Sequence, residues 1–198
     1  MSLNLEKQLS FYGAYHHNPT NIVIHMTCIP ILLATGLLLG TNSPTLIPLP
    51  SWLTIPNFPF NAGSIAAILY SGFYMLLEPV AGSMLLPVII GWTAFSNHLT
   101  SGHAYTININ AIVIHVGAWI AQFVGHGVYE GRAPALLDNL LQALVLAPFF
   151  VFMELLFKAG YRPELQKRVN AEVEKQIQKF RSDKGQKANG SVKNGKAN

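Results

Sequence analysis

Between Lys7 and Glu78 the sequence holds no charged side chain, and after Glu78 the next is Glu130. A soluble fold of this size cannot cover its surface from such stretches. Over the whole chain 11% of residues are charged, against about 25% in an ordinary globular domain. The mean hydropathy is +0.33. These absences exclude a soluble enzyme and point to an integral membrane protein. Cysteine is almost missing too: Cys28 stands alone, so no intrachain disulfide is possible, and it sits in an apolar run as a small packed residue. No G-x-G-x-x-G follows a strand and there is no P-loop, so nothing announces a nucleotide. The N-terminal "MSLNLEKQLSFYGAYHHNP" lacks the basic start and apolar core of a secretory signal, so the first span is expected to serve as its own insertion signal.

The charge that is present is lopsided. Eleven of the thirteen Lys and Arg lie from Lys158 onward, with four acids, a net of +7; residues 1–157 carry Lys7 and Arg132 against five acids, a net of −3. A basic segment directly after the last apolar run is the positive-inside signal and places the C-terminus in the cytosol. The tail follows a membrane span and has no interleaved aromatics, which argues against nucleic acid as a partner.

Along the chain, Leu5, Leu9 and Tyr12 recur at helical spacing, as in a short helix lying at a membrane interface. Asn18-Pro19 reads as an N-cap followed by a tolerated first-turn proline, so the first span runs from 19 to about 40. Residues 41–62 contain five of the twelve prolines and form a loop, with Trp52 and Phe58 as expected interfacial anchors. Two short apolar segments, 63–78 and 79–98, meet at Glu78-Pro79, either as two spans or as a broken re-entrant pair. "LTSGHAYT" reads as a turn, a further helix covers about 107–129, "EGRAPALLD" is a link, and the last span covers about 139–157. The expected fold is all-α, a polytopic membrane helix bundle of about four and up to five or six membrane helices. Residues 1–163 form one membrane-embedded domain, 164–180 a charged amphipathic helix, and 181–198 a disordered basic tail.

Seven histidines beside few carboxylates and one thiol are the chemical content of this chain. A single His in a membrane helix is more often a satisfied hydrogen-bonding group than a ligand. Several together shift that balance, because ionisable groups in spans are costly and mostly functional, and imidazole suits Fe, Zn, Cu and Ni. "YHHNPTNIVIH" puts His16 and His17 just outside the first span and His25 about two turns inside it, so a ring from the loop and His25 can meet one ion. His16 and His17 are neighbours and point apart, one as a ligand and the other as a supporting or interfacial group. His115 and His126 share a helix face but lie about 16 Å apart on a straight helix. Either Gly125 and Gly127 break the helix, or one of the two rings serves a second ion or the substrate. Glu130, four residues beyond His126, suits a carboxylate ligand or an acid orienting that ring. Arg132 suits a clamp for a substrate carboxylate, or a partner for Glu130. His98 and His103 flank the turn and are weaker ligand candidates.

"FYGAYHHNPTNIVIH" and "IHVGAWIAQFVGHGVYEGRAPALLDNLLQALVLAPFFVFMELLFKAGYRPEL" resemble the DUF962 family in its eukaryotic, Mpo1-like branch, over roughly residues 8–167. The resemblance implies an enzyme of the endoplasmic-reticulum membrane, an Fe(II)-dependent dioxygenase. Such an enzyme uses O2 to shorten 2-hydroxy long-chain fatty acids by one carbon during phytosphingosine and sphingolipid degradation. It also implies that the motif histidines correspond to His16, His17, His25, His115 and His126, with membrane lipid as the surroundings. The proline-rich 41–62 loop is a local elaboration. A di-iron hydroxylase would want tight H-x-x-H or H-x-x-x-H pairs, and none occurs. A haem protein would need axial histidines around a large pocket. The alternative of another class is a non-catalytic lipid-binding or scaffolding protein with structural histidines.

Overall fold

The computed structural model describes residues 3–16, 18–130 and 140–194, the side chains of 140–143, 181 and 183–194 excepted. Helix α1 (Leu5–Tyr15) begins at Asn4, whose side chain accepts from Lys7 N at 3.0 Å. Helix α2 (Pro19–Gly40) begins as its sequence dictates: the Asn18 side chain accepts from Thr20 N at 2.9 Å and Pro19 occupies the first turn, where a missing N–H costs nothing. Helix α3 (Ala62–Leu77) is capped in the same way by Asn61, and helix α4 (Pro79–Val124) by Glu78, whose Oε2 accepts from Ala81 N at 2.6 Å. A π-helical turn, Gly125–Glu130, continues α4. Helices α5 (Leu140–Lys158) and α6 (Pro163–Asn194) complete the chain. No strand occurs among the described residues; Ile47 and Phe60 form a lone bridge.

Helix α4 is two rods. A straight helix would hold residues 92 and 115 about 34 Å apart. Yet Trp92 Nε1 donates to Ala34 O at 2.8 Å, and the His115 ring meets the hydroxyl of the adjacent Thr35 at 2.7 Å. Further along, Thr100 and Asn108 bond to Thr41 and Asn42. The chain therefore folds back on itself at His103, whose backbone (φ −133°, ψ 43°) is non-helical. The arm 79–102 runs alongside α2 and the arm 104–124 returns against it. The turn expected over "LTSGHAYT" thus shrinks to one residue: the segment contains no proline, and both arms stay helical because both pack on α2.

Glu78-Pro79 makes a tight hairpin between α3 and the first arm of α4. A Cβ on Gly82 would strike the backbone of Met75, so only glycine allows this approach. Gly40 and Gly63 do the same for α2 and α3, where a Cβ on Gly40 would lie 2.9 Å from Gly63 Cα. Such small-residue contacts let helices associate where lipid offers no hydrophobic drive. Tyr74, Phe149, Leu146 and Met153 are fully enclosed between α3 and α5, and the Tyr74 hydroxyl donates to Val145 O at 2.7 Å. At the same end Arg162 stands 3.5 Å from buried Glu78, while α6 lies along α1 through an Arg168–Glu6 pair at 3.0 Å.

Two helices are long and apolar enough to cross a membrane, Pro19–Gly40 and Pro79–Glu130, and the apolar windows that identify them are only 33% and 17% buried. A core helix of a soluble protein would be mostly enclosed. Here Val113, Val116, Ile120, Val124 and Val128 face outward, a surface that lipid would cover. Two expectations change. Phe58 is buried and packs inward while Trp52 remains exposed, because the proline-rich loop folds back through the Ile47–Phe60 bridge. Helix α6 continues to Asn194, further than the Lys/Gly/Asn/Ser-rich composition from 181 suggests.

Candidate metal centre

Three of the expected ligands come together. His16 ends α1, His25 sits inside α2, and His126 lies in the π-helical turn; all three are buried. Their ring centroids are 4.3, 4.9 and 4.7 Å apart, and one ring nitrogen from each lies within 4.8 Å of the others.

The way two of these rings are held is informative. His16 Nδ1 lies 2.8 Å from Tyr12 O, and His25 Nδ1 lies 3.0 Å from Asn21 O. A carbonyl oxygen only accepts, so in each ring Nδ1 carries the proton and Nε2 is the basic nitrogen. Both contacts reach back four residues, the distance at which a helical side chain meets the preceding turn. Fixing the tautomer through Nδ1–H to a carbonyl is how proteins prepare histidine for a metal. The Tyr12 ring also stacks on His16 at 3.9 Å and 18°, fixing its plane. Basic nitrogens gathered in a buried space repel one another unless a proton or a cation lies between them, so the donor set fits a borderline metal ion such as iron.

The π-turn answers the spacing problem of the second histidine pair. His126 is brought to His16 and His25 by an irregular turn packed against the start of α2. A Cβ on Gly125 would collide with the Asn21 amide oxygen, so glycine there lets the turn approach Asn21 without displacing its side chain. Glu130 ties the turn down: its Oε1 accepts from Asn18 N at 2.9 Å and from Asn21 Nδ2 at 3.0 Å, an acid at a helix N-terminus. These contacts make Glu130 a clamp between the turn and α2.

His115 does not join the trio. Trp119 Nε1, which can only donate, donates a hydrogen bond to His115 Nε2 at 3.0 Å, so His115 Nδ1–H donates to Thr35 Oγ1, and Thr35 in turn donates to Ile31 O. Both ring nitrogens are engaged, in a neutral tautomer, away from the three rings that meet. His98 and His103 are exposed, at the hairpin end of α4, about 24 Å along α2 from His25. His17 and Arg132 lie outside the described residues. The sequence reading missed Tyr12 and Asn21; the signal was there, since each stands four residues before a ligand histidine.

The trio forms one end of an apolar cavity of about 480 Å3. The cavity follows α2 from His25 past Ile29 and Leu33 to Gly36 and Gly40, with Trp119 and Phe123 on one side and Tyr70 and Leu144 on the other. His25 to Gly40 spans about 22 Å of helix. Among the described residues the Tyr12 hydroxyl is enclosed without a partner, and burial, with Glu154 nearby, pushes its phenol well above the usual range, so it stays a neutral O–H.

Residues 2–159 match the model of the family described as 2-hydroxy-palmitic acid dioxygenase Mpo1-like. The chain is similar to a Saccharomyces cerevisiae protein named 2-hydroxy-palmitic acid dioxygenase MPO1, 35% identical over 174 residues, which is 87% of this chain and 91% of the relative. No solved structure matches.

Proposed function

This chain belongs to the Mpo1-like family, and from that premise we propose that it is an Fe(II)-dependent dioxygenase. Its reaction would convert a 2-hydroxy long-chain fatty acid and O2 to the acid one carbon shorter, with carbon dioxide and water. The observation that carries the reading is the buried His16–His25–His126 trio at the head of a long apolar cavity. Fe(II) held there would supply the redox chemistry that triplet O2 needs and a seat for the hydroxyl and carboxylate of the substrate. Cleaving C1–C2 releases as many electrons as O2 takes up, so neither 2-oxoglutarate nor flavin is required.

The protein's own groups divide the remaining tasks. Tyr12 O and Asn21 O hold the tautomers of His16 and His25. Glu130 and Asn21 lock the turn that carries His126. Arg132, two residues past Glu130, would clamp the substrate carboxylate. The cavity walls take the acyl chain and keep water from the reacting end. With carbon advancing about 1.25 Å per bond in an extended chain of tetrahedral geometry, ~22 Å of cavity accommodates roughly 16 to 18 carbons.

Both arms of α4, with α2 and α3, would give an even set of four membrane crossings, while α5, the span expected over about 139–157, lies at the trio end, where Phe150 packs on Tyr12 and Lys158 reaches Met26. Among the described residues, the Glu, Lys and Arg side chains up to Arg162 lie near the trio end in this arrangement, so that end, with the basic C-terminus, faces the cytosol, in the endoplasmic-reticulum membrane. The substrate would come from sphingolipid breakdown. Anaerobic purification and metal analysis test the core claim: one iron per chain is expected, with release of the shortened acid on addition of O2 and a 2-hydroxy acid. A folded protein without stoichiometric iron would be a lipid-binding protein instead. Protease in sealed microsomes should remove a C-terminal tag.

A further inference from the structure

Gln122 lies on the second arm of α4, one turn before His126, and lines the same cavity. It is 8% exposed, and among the described residues its carboxamide makes no hydrogen bond. Most of the other polar groups of the lining are held by the chain, and His126 belongs to the metal-binding trio. The His16 and His25 rings are anchored on carbonyls, His115 is held on both nitrogens, and the Tyr70 hydroxyl donates to Leu144 O. The Tyr12 hydroxyl, also without a partner, is fully enclosed and does not open on the cavity. The Gln122 amide keeps its exposure, and the surface it faces is the cavity beside the metal-binding trio. A buried amide without a partner in an apolar wall is costly, so such a group stands where a ligand supplies the missing bonds.

The chemistry of the amide narrows that ligand. A carboxamide offers N–H and C=O side by side, one donor and one acceptor on a neutral frame. A 2-hydroxy acid presents the complement, a carboxylate oxygen that accepts and an adjacent hydroxyl that donates. We propose that Gln122 is the residue that recognises the 2-hydroxy acid head: its Nε2–H donates to a carboxylate oxygen and its Oε1 accepts from the 2-hydroxyl. This assignment rests on the dioxygenase reading above and gives it a basis for selectivity. An unsubstituted fatty acid would leave Oε1 buried and unpaired, and sites built to bond a hydroxyl reject analogues that lack it.

The test compares 2-hydroxyhexadecanoate with hexadecanoate on full-length, detergent-solubilised protein loaded with zinc in place of iron, so that binding is read without turnover. Wild type is expected to prefer the 2-hydroxy acid. Gln122→Met, of similar length and without the amide, should keep its metal and melting temperature. It should lose about ten- to a hundredfold in affinity for the 2-hydroxy acid, the range for a hydrogen bond to a charged group, while hexadecanoate binds as before or more tightly. If Gln122→Met fails to fold, Gln122→Asn decides, because it keeps the amide but withdraws it by one carbon and should lower the preference likewise. An unchanged preference in the folded variant overturns the role of Gln122 and leaves the dioxygenase reading standing. Wild type that does not distinguish the two acids overturns both.

Discussion

The two ends of the bundle are both polar, and they are polar in different ways. At one end Asn42 and Asn108 exchange amide hydrogen bonds at 2.9 and 2.7 Å, Asn61 reaches Thr41 O and Asn97, and Thr41 meets Thr100. All of these groups are neutral, and each is satisfied by another residue of the chain. At the opposite end stand the histidine trio, Glu130, and Glu78 with Arg162, joined by the charged pair of α1 and α6. Here the groups can change charge or bind an ion. The first end closes helices with amides and hydroxyls that pair with one another, its two histidines, His98 and His103, standing exposed. The second gathers basic nitrogens and an unpartnered amide around a cavity. Polarity within an apolar bundle is therefore not by itself a sign of a site; polarity that the chain does not satisfy is.

The largest expected effect tests this contrast directly. His25→Ala and His126→Ala should each abolish bound iron and turnover, since two imidazoles cannot replace three in a closed donor set. His98→Ala and His103→Ala, exposed at the amide end, should retain both. Metal content by mass spectrometry beside product formation decides it. Iron retained in both of the first variants would remove the trio as the ligand set.

Much of this contrast could be read from the sequence, and the rest could not for definite reasons. Asn18-Pro19 and Glu78-Pro79 fixed helix starts because capping is local chemistry. His16 and His25 were legible because they flank such a start. For His115, face-sharing on a helix does not reveal that its nitrogens meet Thr35 and Trp119. The return of His126 depends on a π-turn, which has no composition of its own and forms where Gly125 meets Asn21. The fold-back within "LTSGHAYT" was legible as a turn; that it narrows to the single non-helical residue His103 was not, because that depends on both arms packing on α2.

Next in size is the carboxylate clamp. Arg132→Gln should keep iron and weaken binding of a 2-hydroxy acid by about ten- to a hundredfold, the cost of a charge-assisted bond. Arg132→Lys should recover only part, since an ammonium lacks the bidentate fork. An unchanged dissociation constant on quantified, iron-loaded protein would assign Arg132 a structural partner instead. The cavity itself can be shortened from the amide end. A Cβ at Gly36 meets only His115 Cε1, at 3.8 Å, so a side chain there is accepted and projects into the lumen. Gly36 lies about 16 Å from His25 along α2. Gly36→Leu should therefore keep iron, lower turnover of 2-hydroxyhexadecanoate by about tenfold, and leave acids of roughly 12 carbons or fewer little affected, the spacing per carbon being about 1.25 Å. Equal loss at every chain length would show that the acyl chain does not run toward Gly36.

The smallest expected difference comes from one substitution made at both ends. Asn18 and Asn61 are equivalent N-caps, with bonds to Thr20 N and Ser64 N of 2.9 Å each. Replacing either by Ala removes a cap worth about 1 kcal/mol, and Asn61→Ala also takes the donor from Thr41 O and Asn97. Thermal stability in detergent should fall in both, and somewhat more for Asn61→Ala. Their effects on the metal should diverge. Asn18 lies between the segment that carries His16 and the helix that carries His25, and its backbone N–H is held by Glu130 from the turn of His126. Loosening that start frees three ligands at once, so Asn18→Ala should release iron to a chelator several times faster than wild type. Asn61 caps a helix about 24 Å from the trio, so Asn61→Ala should release iron at the wild-type rate despite its lower stability. Equal release rates in the two variants would mean that iron retention follows global stability, and the division between a closed amide end and a working histidine end would lose its functional meaning.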